Sequence, residues 1–155
     1  MCSSINCDVN GNNLTRDTYG WNGDGFYSAS GNTPPAMKFD GTGDYLTNTS
    51  FTSVGTSPFT LEYWVYVTSY LNAQTFGGMF DTRSSGSDTT GFSTYFRSSS
   101  STLVFRYGGS EITIPWTNVP LNTWTHIAVV RDGTNAVQIY INGTKIGAPA
   151  SGVTN

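Results

Sequence analysis

The sequence is poor in charged residues, which make up only 11% of its 155 residues. Surface helices depend on Glu, Lys, Arg and Ala, so this scarcity argues against a helical protein. Small polar residues and 18 glycines take their place, and aromatic residues reach 14%. This balance predicts a single all-β domain of short strands and turns, with a core built largely on Phe, Tyr and Trp.

Basic residues are also few, since seven Lys and Arg against ten Asp and Glu give a formal net charge of −3. They are scattered singly and form no stripe that could follow a phosphate backbone, so no nucleic acid partner is expected. No apolar run approaches the ~20 residues of a membrane-spanning helix, and membrane insertion is not expected. The N-terminus has neither the basic nor the apolar region of a secretion signal.

Cysteine is confined to the first seven residues, as Cys2 and Cys7. Two cysteines with no histidine nearby are too few for a zinc site, so they either close a small loop or remain free thiols. They do not decide the redox compartment. Residues 1–35 are polar and rich in Gly and Asn, and we expect them to be largely irregular.

Strand patterns follow one another along the rest of the chain, without an apolar stripe of helical period. The strongest is FTLEYWVYVT at residues 59–68, in which Tyr63 and Trp64 lie on opposite faces. Both faces carry aromatic residues, so we expect this strand to be covered on both sides. Further strands are predicted at residues 45–47, 77–81, 92–97, 103–107, 111–115, 124–131, 137–141 and 144–146. Asn142-Gly143 is the pair that type I′ hairpin turns favour.

Three blocks occur in a recognisable order: FDGTGDYL at residues 39–46, FTLEYWVYV at 59–67 and NTWTHIAVVRDGTNAVQIYINGTKIG at 122–147. With these blocks the chain resembles laminin G-like, concanavalin A-like jelly-roll domains, including pentraxin-like lectins. The resemblance implies a sandwich of two antiparallel sheets over residues 36–155. The first two blocks are similar to domains of phage tail and other virion surface proteins and of bacterial adhesins, which implies an extracellular or virion-surface location.

The resemblance has one departure, near the C-terminus. The family continues past the Asn-Gly hairpin into closing strands, whereas this sequence ends at Asn155 and residues 148–152 are poor strand material. We therefore expect the sandwich to lack those strands and to leave an edge open. Such an edge recruits a partner, either residues 1–35 or a second copy, so homo-oligomerisation or edge pairing is expected.

An enzyme is not expected, although glycoside hydrolases share this fold. Those related to laminarinases carry Glu-x-Asp-x-x-Glu on one strand, which places two carboxylates in the cleft. Here the glutamates are Glu62 and Glu111, on separate segments, and neither has a second acid at that spacing. The single histidine, His126, resembles a structural strand residue of the family and lacks the remaining members of a catalytic triad.

A calcium site is expected to be incomplete, so no cofactor is expected. Pentraxin-like relatives bind calcium with an Asp in the loop that corresponds to residues 79–88, and Asp88 is the matching position. A calcium ion takes six to eight oxygen ligands, and Asp88 with its Ser and Thr neighbours supplies too few.

Glycan binding requires exposed aromatic faces beside amide and hydroxyl groups. The residues at strand ends or polar loops that meet this description are Tyr70, Asn72, Tyr95, Tyr107, Trp116 and Asn118. The sequence thus predicts a non-catalytic module that binds a glycan or cell-surface polysaccharide and belongs to a larger extracellular or virion protein. The alternative is a structural spacer or decoration domain of a virion or adhesin, and a glycoside hydrolase ranks last.

Overall fold

The computed structural model describes residues 26–27, 36–37, 39, 45–48, 51, 54–55, 57–70 and 76–150. The chain separates into two compact units, Met1–Phe51 and Thr52–Asn155. In the first unit, strand β1 (Phe26–Tyr27) pairs antiparallel with β2 (Ala36–Met37). Both cysteines and most of residues 1–35 lie outside the described residues, so the predictions made for them stay predictions.

The strand predicted from Tyr45 is wrong, because Tyr45 forms an isolated bridge and residues 46–48 adopt no strand. The side chains of Tyr45 and Leu46 are 55% and 44% exposed. Strands of this kind are stabilised by packing one face against a core, and these two side chains lack that packing.

The second unit contains eight strands: β3 (Phe59–Tyr66), β4 (Phe76–Asp81), β5 (Phe92–Arg97), β6 (Thr102–Tyr107), β7 (Ser110–Pro115), β8 (Trp124–Arg131), β9 (Val137–Ile141) and β10 (Thr144–Ala150). Two short 3₁₀ turns, Ser98–Ser100 and Trp116–Asn118, join them. The first sheet has the order β10-β9-β8-β3 and the second the order β4-β5-β6-β7. All pairings are antiparallel, which confirms the predicted jelly-roll sandwich. Among the described residues, no helix is long and apolar enough to span a membrane.

The hydrophobic core lies between the two sheets and is rich in aromatic residues. Phe59 stacks on Phe92 with ring centroids 5.1 Å apart, and Phe92 stacks on Phe80 at 5.5 Å. The buried members of the core are Val67, Phe92, Phe96, Leu103, Phe105, Tyr107, Ile114, Val119, Ile127, Val129, Val137, Ile139 and Ile141. Burying each large apolar side chain stabilises the fold by roughly 1.5–3 kcal/mol, so the few aromatics compensate for a modest apolar content.

Polar groups inside the sandwich are hydrogen-bonded. The Tyr63 hydroxyl donates to Thr94 Oγ1 at 3.0 Å, and burial raises the pKa of Tyr63 to about 12. Arg131 is 1% exposed and donates to the Tyr107 hydroxyl at 2.8 Å and to Asn135 Oδ1 at 2.7 Å. Because a buried cation is costly unless it has such partners, these bonds fix Arg131 in one position.

The prediction that β3 is covered on both faces is wrong. Trp64 is 63% exposed and Tyr66 is 45% exposed, although Leu61 and Tyr63 pack against the core. A two-layer sandwich covers each sheet on its inner side, so the outer side of β3 stays open in spite of its aromatic residues.

The end of β10 also differs from the prediction. The strand continues to Ala150, which pairs with Val137 after an irregularity that follows Ile146. Gly147 has a φ of +71°, which allows the chain to bend and then rejoin β9. β10 is the last strand of its sheet in the described part of the chain, and an edge position tolerates the missing N–H of Pro149.

Candidate functional site

Three large aromatic side chains lie together on the outer face of the first sheet. Trp64 of β3 is opposite His126 of β8, and Tyr66 is opposite Trp124. The ring centroids are 5.2 Å apart in the first pair and 5.5 Å in the second, and both pairs are tilted. Successive pairs on one face of a strand are about 7 Å apart, so the two pairs form one continuous stripe. We call this outer surface of β10-β9-β8-β3 the aromatic face.

The aromatic face is open to solvent. Trp64, Tyr66 and Trp124 are 63%, 45% and 41% exposed. Isolated exposed apolar residues are common on protein surfaces, but a contiguous group of large ones indicates a binding surface.

Polar and charged groups border the aromatic stripe. The next row across the sheet is Glu62, Ala128, Tyr140 and Lys145, one residue from each of the four strands. The Glu62 carboxylate is 3.4 Å from His126 Nε2, and its side chain is 64% exposed. Aromatic rings, a carboxylate, a phenol and an ammonium group therefore share one surface.

The Asn142-Gly143 turn helps to fix the register of this face. Their φ values of +49° and +77° lie in the left-handed region that type I′ turns use, as the sequence predicts. The Asn142 side-chain oxygen accepts the backbone N–H of His126 at 2.9 Å, and the Asn142 N–H donates to the His126 carbonyl at 2.9 Å. Since a slip of one residue would turn every side chain to the other side of the sheet, these bonds help keep Trp124 and His126 facing outward.

Three residues that the sequence suggests as glycan contacts lie together at another place. Tyr70 stacks on Trp116 with centroids 4.5 Å apart and an interplanar angle of 6°, and its hydroxyl donates to the Val119 carbonyl at 2.9 Å. The Asn118 side-chain amide donates to the Pro115 carbonyl at 2.9 Å. Both rings are partly buried against the core, so the stack has mainly a packing role here. Asn72 lies outside the described residues.

Tyr95 and Tyr107, the other two aromatic candidates, are 6% and 2% exposed. Tyr107 belongs to the core, where its hydroxyl donates to the Gly55 carbonyl and accepts from Arg131. Neither ring offers an open face in this arrangement.

Tyr95 lies on the outer face of the second sheet, where Arg97 and Glu111 bind it. Its hydroxyl donates to Glu111 Oε1 at 3.0 Å and accepts from Arg97 Nη2 at 2.7 Å, while Arg97 is 2.6 Å from the same carboxylate oxygen. The bond from Arg97 lowers the pKa of Glu111, and burial raises the pKa of Tyr95.

The candidate calcium ligand Asp88 is held by its own loop. One carboxylate oxygen accepts from the backbone N–H and hydroxyl of Ser84, both at 2.8 Å, and the other accepts from those of Thr90, both at 2.7 Å. These bonds, that from the Thr90 hydroxyl first, hold the pKa of Asp88 far below its usual value. Within the part of the chain that the structure describes, no three His, Cys, Asp or Glu side chains cluster in a way that could hold a metal ion.

The described carboxylates are far apart by the standard of glycosidases. Asp81 and Glu111 occupy one row of the second sheet but lie on its opposite edge strands, three strand spacings or roughly 14 Å apart. Glu62 lies on the outer face of the other sheet. Glycosidase carboxylates are about 5–9.5 Å apart.

The sequence alone did not single out Trp64, Tyr66 and Trp124 as candidates for binding. They occur in strands with the strongest β signals, where aromatic residues usually pack. The signal that could have found them is the alternation itself: Leu61, Tyr63 and Val65 already supply a complete inward face, which leaves Trp64 and Tyr66 outside a two-layer sandwich.

Comparison with known proteins identifies the family. No curated protein and no solved structure matches the chain. A family model described as the concanavalin A-like lectin/glucanases superfamily matches residues 40–155, and its name places it among the laminin G groups. This description names both lectins and glucanases. With two antiparallel sheets around one core and a match over most of its length, the chain belongs to the concanavalin A-like lectin/glucanases superfamily.

Proposed function

We propose that the chain is a non-catalytic carbohydrate- or cell-surface-binding module of a larger extracellular or virion protein, and that its ligand binds on the aromatic face. The observation that carries the proposal is the exposure of Trp64, Tyr66 and Trp124 in one stripe on a rigid sheet. Sugar rings present C–H surfaces that pack on aromatic rings, and their hydroxyls need polar partners at the edges. Glu62, His126 and Tyr140 provide such partners.

The rigidity of the site supports binding. All three aromatic residues lie on paired strands, and the β3–β8 pairing is continuous from Phe59 to Tyr66. A preformed surface loses little conformational entropy when a ligand binds, which favours affinity in a shallow site. Two side chains of the stripe also limit each other's rotation through the contact of Tyr66 with Trp124.

The distribution of acids supports a non-catalytic role. Asp81 and Glu111 are ion-paired with Arg83 and Arg97, and Glu62 is separated from both by the thickness of the sandwich. A glycosidase needs two carboxylates across one bond, one of them free to protonate the leaving group. Among the described residues, no two carboxylates meet this requirement, and the proposed binding needs neither a metal ion nor a cofactor.

The test measures binding to a glycan array and to soluble polysaccharides by affinity electrophoresis. We expect Trp64→Ala to abolish binding and Tyr66→Ala or Trp124→Ala to weaken it about tenfold or more, since stacking on an aromatic ring contributes on the order of 1–3 kcal/mol. Ligand binding should also change the tryptophan fluorescence of the wild type.

The matched control is Trp116→Phe, which preserves the stack on Tyr70 and should bind glycans as the wild type does. Equal binding by Trp64→Ala and wild type, or no binding to any glycan, would contradict the proposal. Light scattering distinguishes the structural alternative: a dimer that dissociates in Trp64→Ala and binds no glycan would show that the aromatic face contacts a second copy.

A further inference from the structure

We infer that the aromatic face selects an uncharged glycan, and that Glu62 selects it by accepting hydrogen bonds from adjacent sugar hydroxyls beside the Trp64 ring. This inference rests on the proposed function, because it specifies the ligand and the polar contact at the same site. It assigns a specificity-determining role to one carboxylate that has no part in the core.

The position of Glu62 carries the first step. Glu62 and Trp64 are two residues apart on β3, so their side chains project from the same face about 7 Å apart. The carboxylate therefore reaches the edge of a sugar ring that stacks on the indole.

His126 restricts where the Glu62 carboxylate can lie. Its Nε2 is 3.4 Å from Glu62 Oε2, and its ring contacts Trp64. A carboxylate has about four lone-pair sites, so this contact leaves acceptor capacity for a ligand. Two neighbouring hydroxyls of one sugar can donate to one carboxylate, and hydrogen bonds to a charged group are stronger than neutral ones.

The charge of the face carries the second step. Glu62 and Lys145 are the formally charged residues of the row that borders the stripe, and His126 is the titratable group beside Trp64. The described arginines lie elsewhere: Arg97 and Arg106 are in the second sheet, and Arg131 is buried in the core. An acidic or sulfated glycan would thus meet one lysine and be repelled by Glu62, so an uncharged chain fits best.

The experiment measures dissociation constants for two sets of oligosaccharides by calorimetry. The uncharged set contains gluco-, xylo-, galacto- and manno-oligosaccharides, and the acidic set contains oligogalacturonate, alginate and heparin fragments. We expect wild-type protein to bind one of the uncharged ligands with an affinity that salt leaves unchanged, because no ion pair forms. We expect Glu62→Gln to weaken that binding about tenfold or more.

The controls separate a contact with ligand from a structural effect. Glu62→Gln should retain the wild-type melting temperature, since the side chain is largely exposed. His126→Gln should weaken binding in the wild type but not in the Glu62→Gln background, because it acts through the carboxylate.

The outcomes distinguish this inference from the proposed function. If Trp64→Ala abolishes glycan binding but Glu62→Gln binds as tightly as the wild type, the role of Glu62 is overturned and the proposed function stands. Tighter binding of the acidic set, with an affinity that falls as salt rises, overturns the uncharged ligand. If no glycan of either set binds, both proposals are overturned.

Discussion

The outer faces of the two sheets carry similar residues and treat them differently. On the first sheet, Trp64 is 63% exposed beside His126 and Glu62. On the second, Tyr95 is 6% exposed, and its hydroxyl is shared between Arg97 and Glu111. An aromatic residue on an outer strand position is thus available for a ligand on one sheet and used for packing on the other.

The polar neighbours explain the difference. Arg97 and Glu111 form an ion pair of 2.6 Å across Tyr95, and the cation lies 5.5 Å from the centre of its ring. The contact between Glu62 and His126 is longer, at 3.4 Å, and leaves the Trp64 indole uncovered. Exposure of an aromatic side chain is therefore set as much by the charged residues around it as by its place on the strand.

The largest expected effect is on stability. Tyr95→Ala should lower the free energy of unfolding by about 3 kcal/mol, because it removes a buried ring and leaves a cavity. Trp64→Ala should change it by less than about 0.5 kcal/mol, because most of that side chain is already in water. Denaturant unfolding of both variants measures the difference. Equal destabilisation by the two substitutions would mean that the two faces do not differ in burial.

A smaller effect concerns pH. The pKa of Glu111 is lowered mainly by the bond from Arg97, so its stabilisation is present above the unfolded-state pKa of about 4.3 and is lost as the pH falls through the lower folded-state pKa. Glu111→Gln should therefore lower stability by roughly 1 kcal/mol at neutral pH, and the gap to the wild type should close in acid. Melting temperatures measured across the acid range test this. Glu62→Gln, on the other face, is the matched control, and a gap that widens in acid would reverse the assignment.

The smallest expected effect is that of calcium. Both oxygens of Asp88 already accept two hydrogen bonds each in the loop between β4 and β5. We expect millimolar calcium to leave the melting temperature unchanged, because a ligand stabilises only when it binds tightly to the folded state. A rise that EDTA reverses and Asp88→Ala abolishes would make the second sheet's loop a metal site.

Much of the fold could be predicted from local pattern. The bounds of β5, β8 and β9 coincide with the prediction, because each is a β-branched or aromatic run that ends at turn residues. β10 was harder, since its pairing beyond Gly147 depends on β9 rather than on its own residues.

The candidate site was predicted less well, for a physical reason. Tyr70, Tyr95, Tyr107 and Trp116 all lie near turns or polar residues in the sequence, yet each packs against a partner from a distant segment. Nearness to a polar residue in the sequence says little about exposure when the covering groups come from other strands.

What the sequence by itself determined is which side chains share a face, because the alternation of a strand is local and fixed. It placed Trp64 with Tyr66, Trp124 with His126 and, through Asn142-Gly143, β9 with β10. Only the tertiary structure decided which face of each strand meets the other sheet and which meets water. That choice depends on how eight strands pair and pack at once, so it is a property of the whole sandwich and not of any one strand.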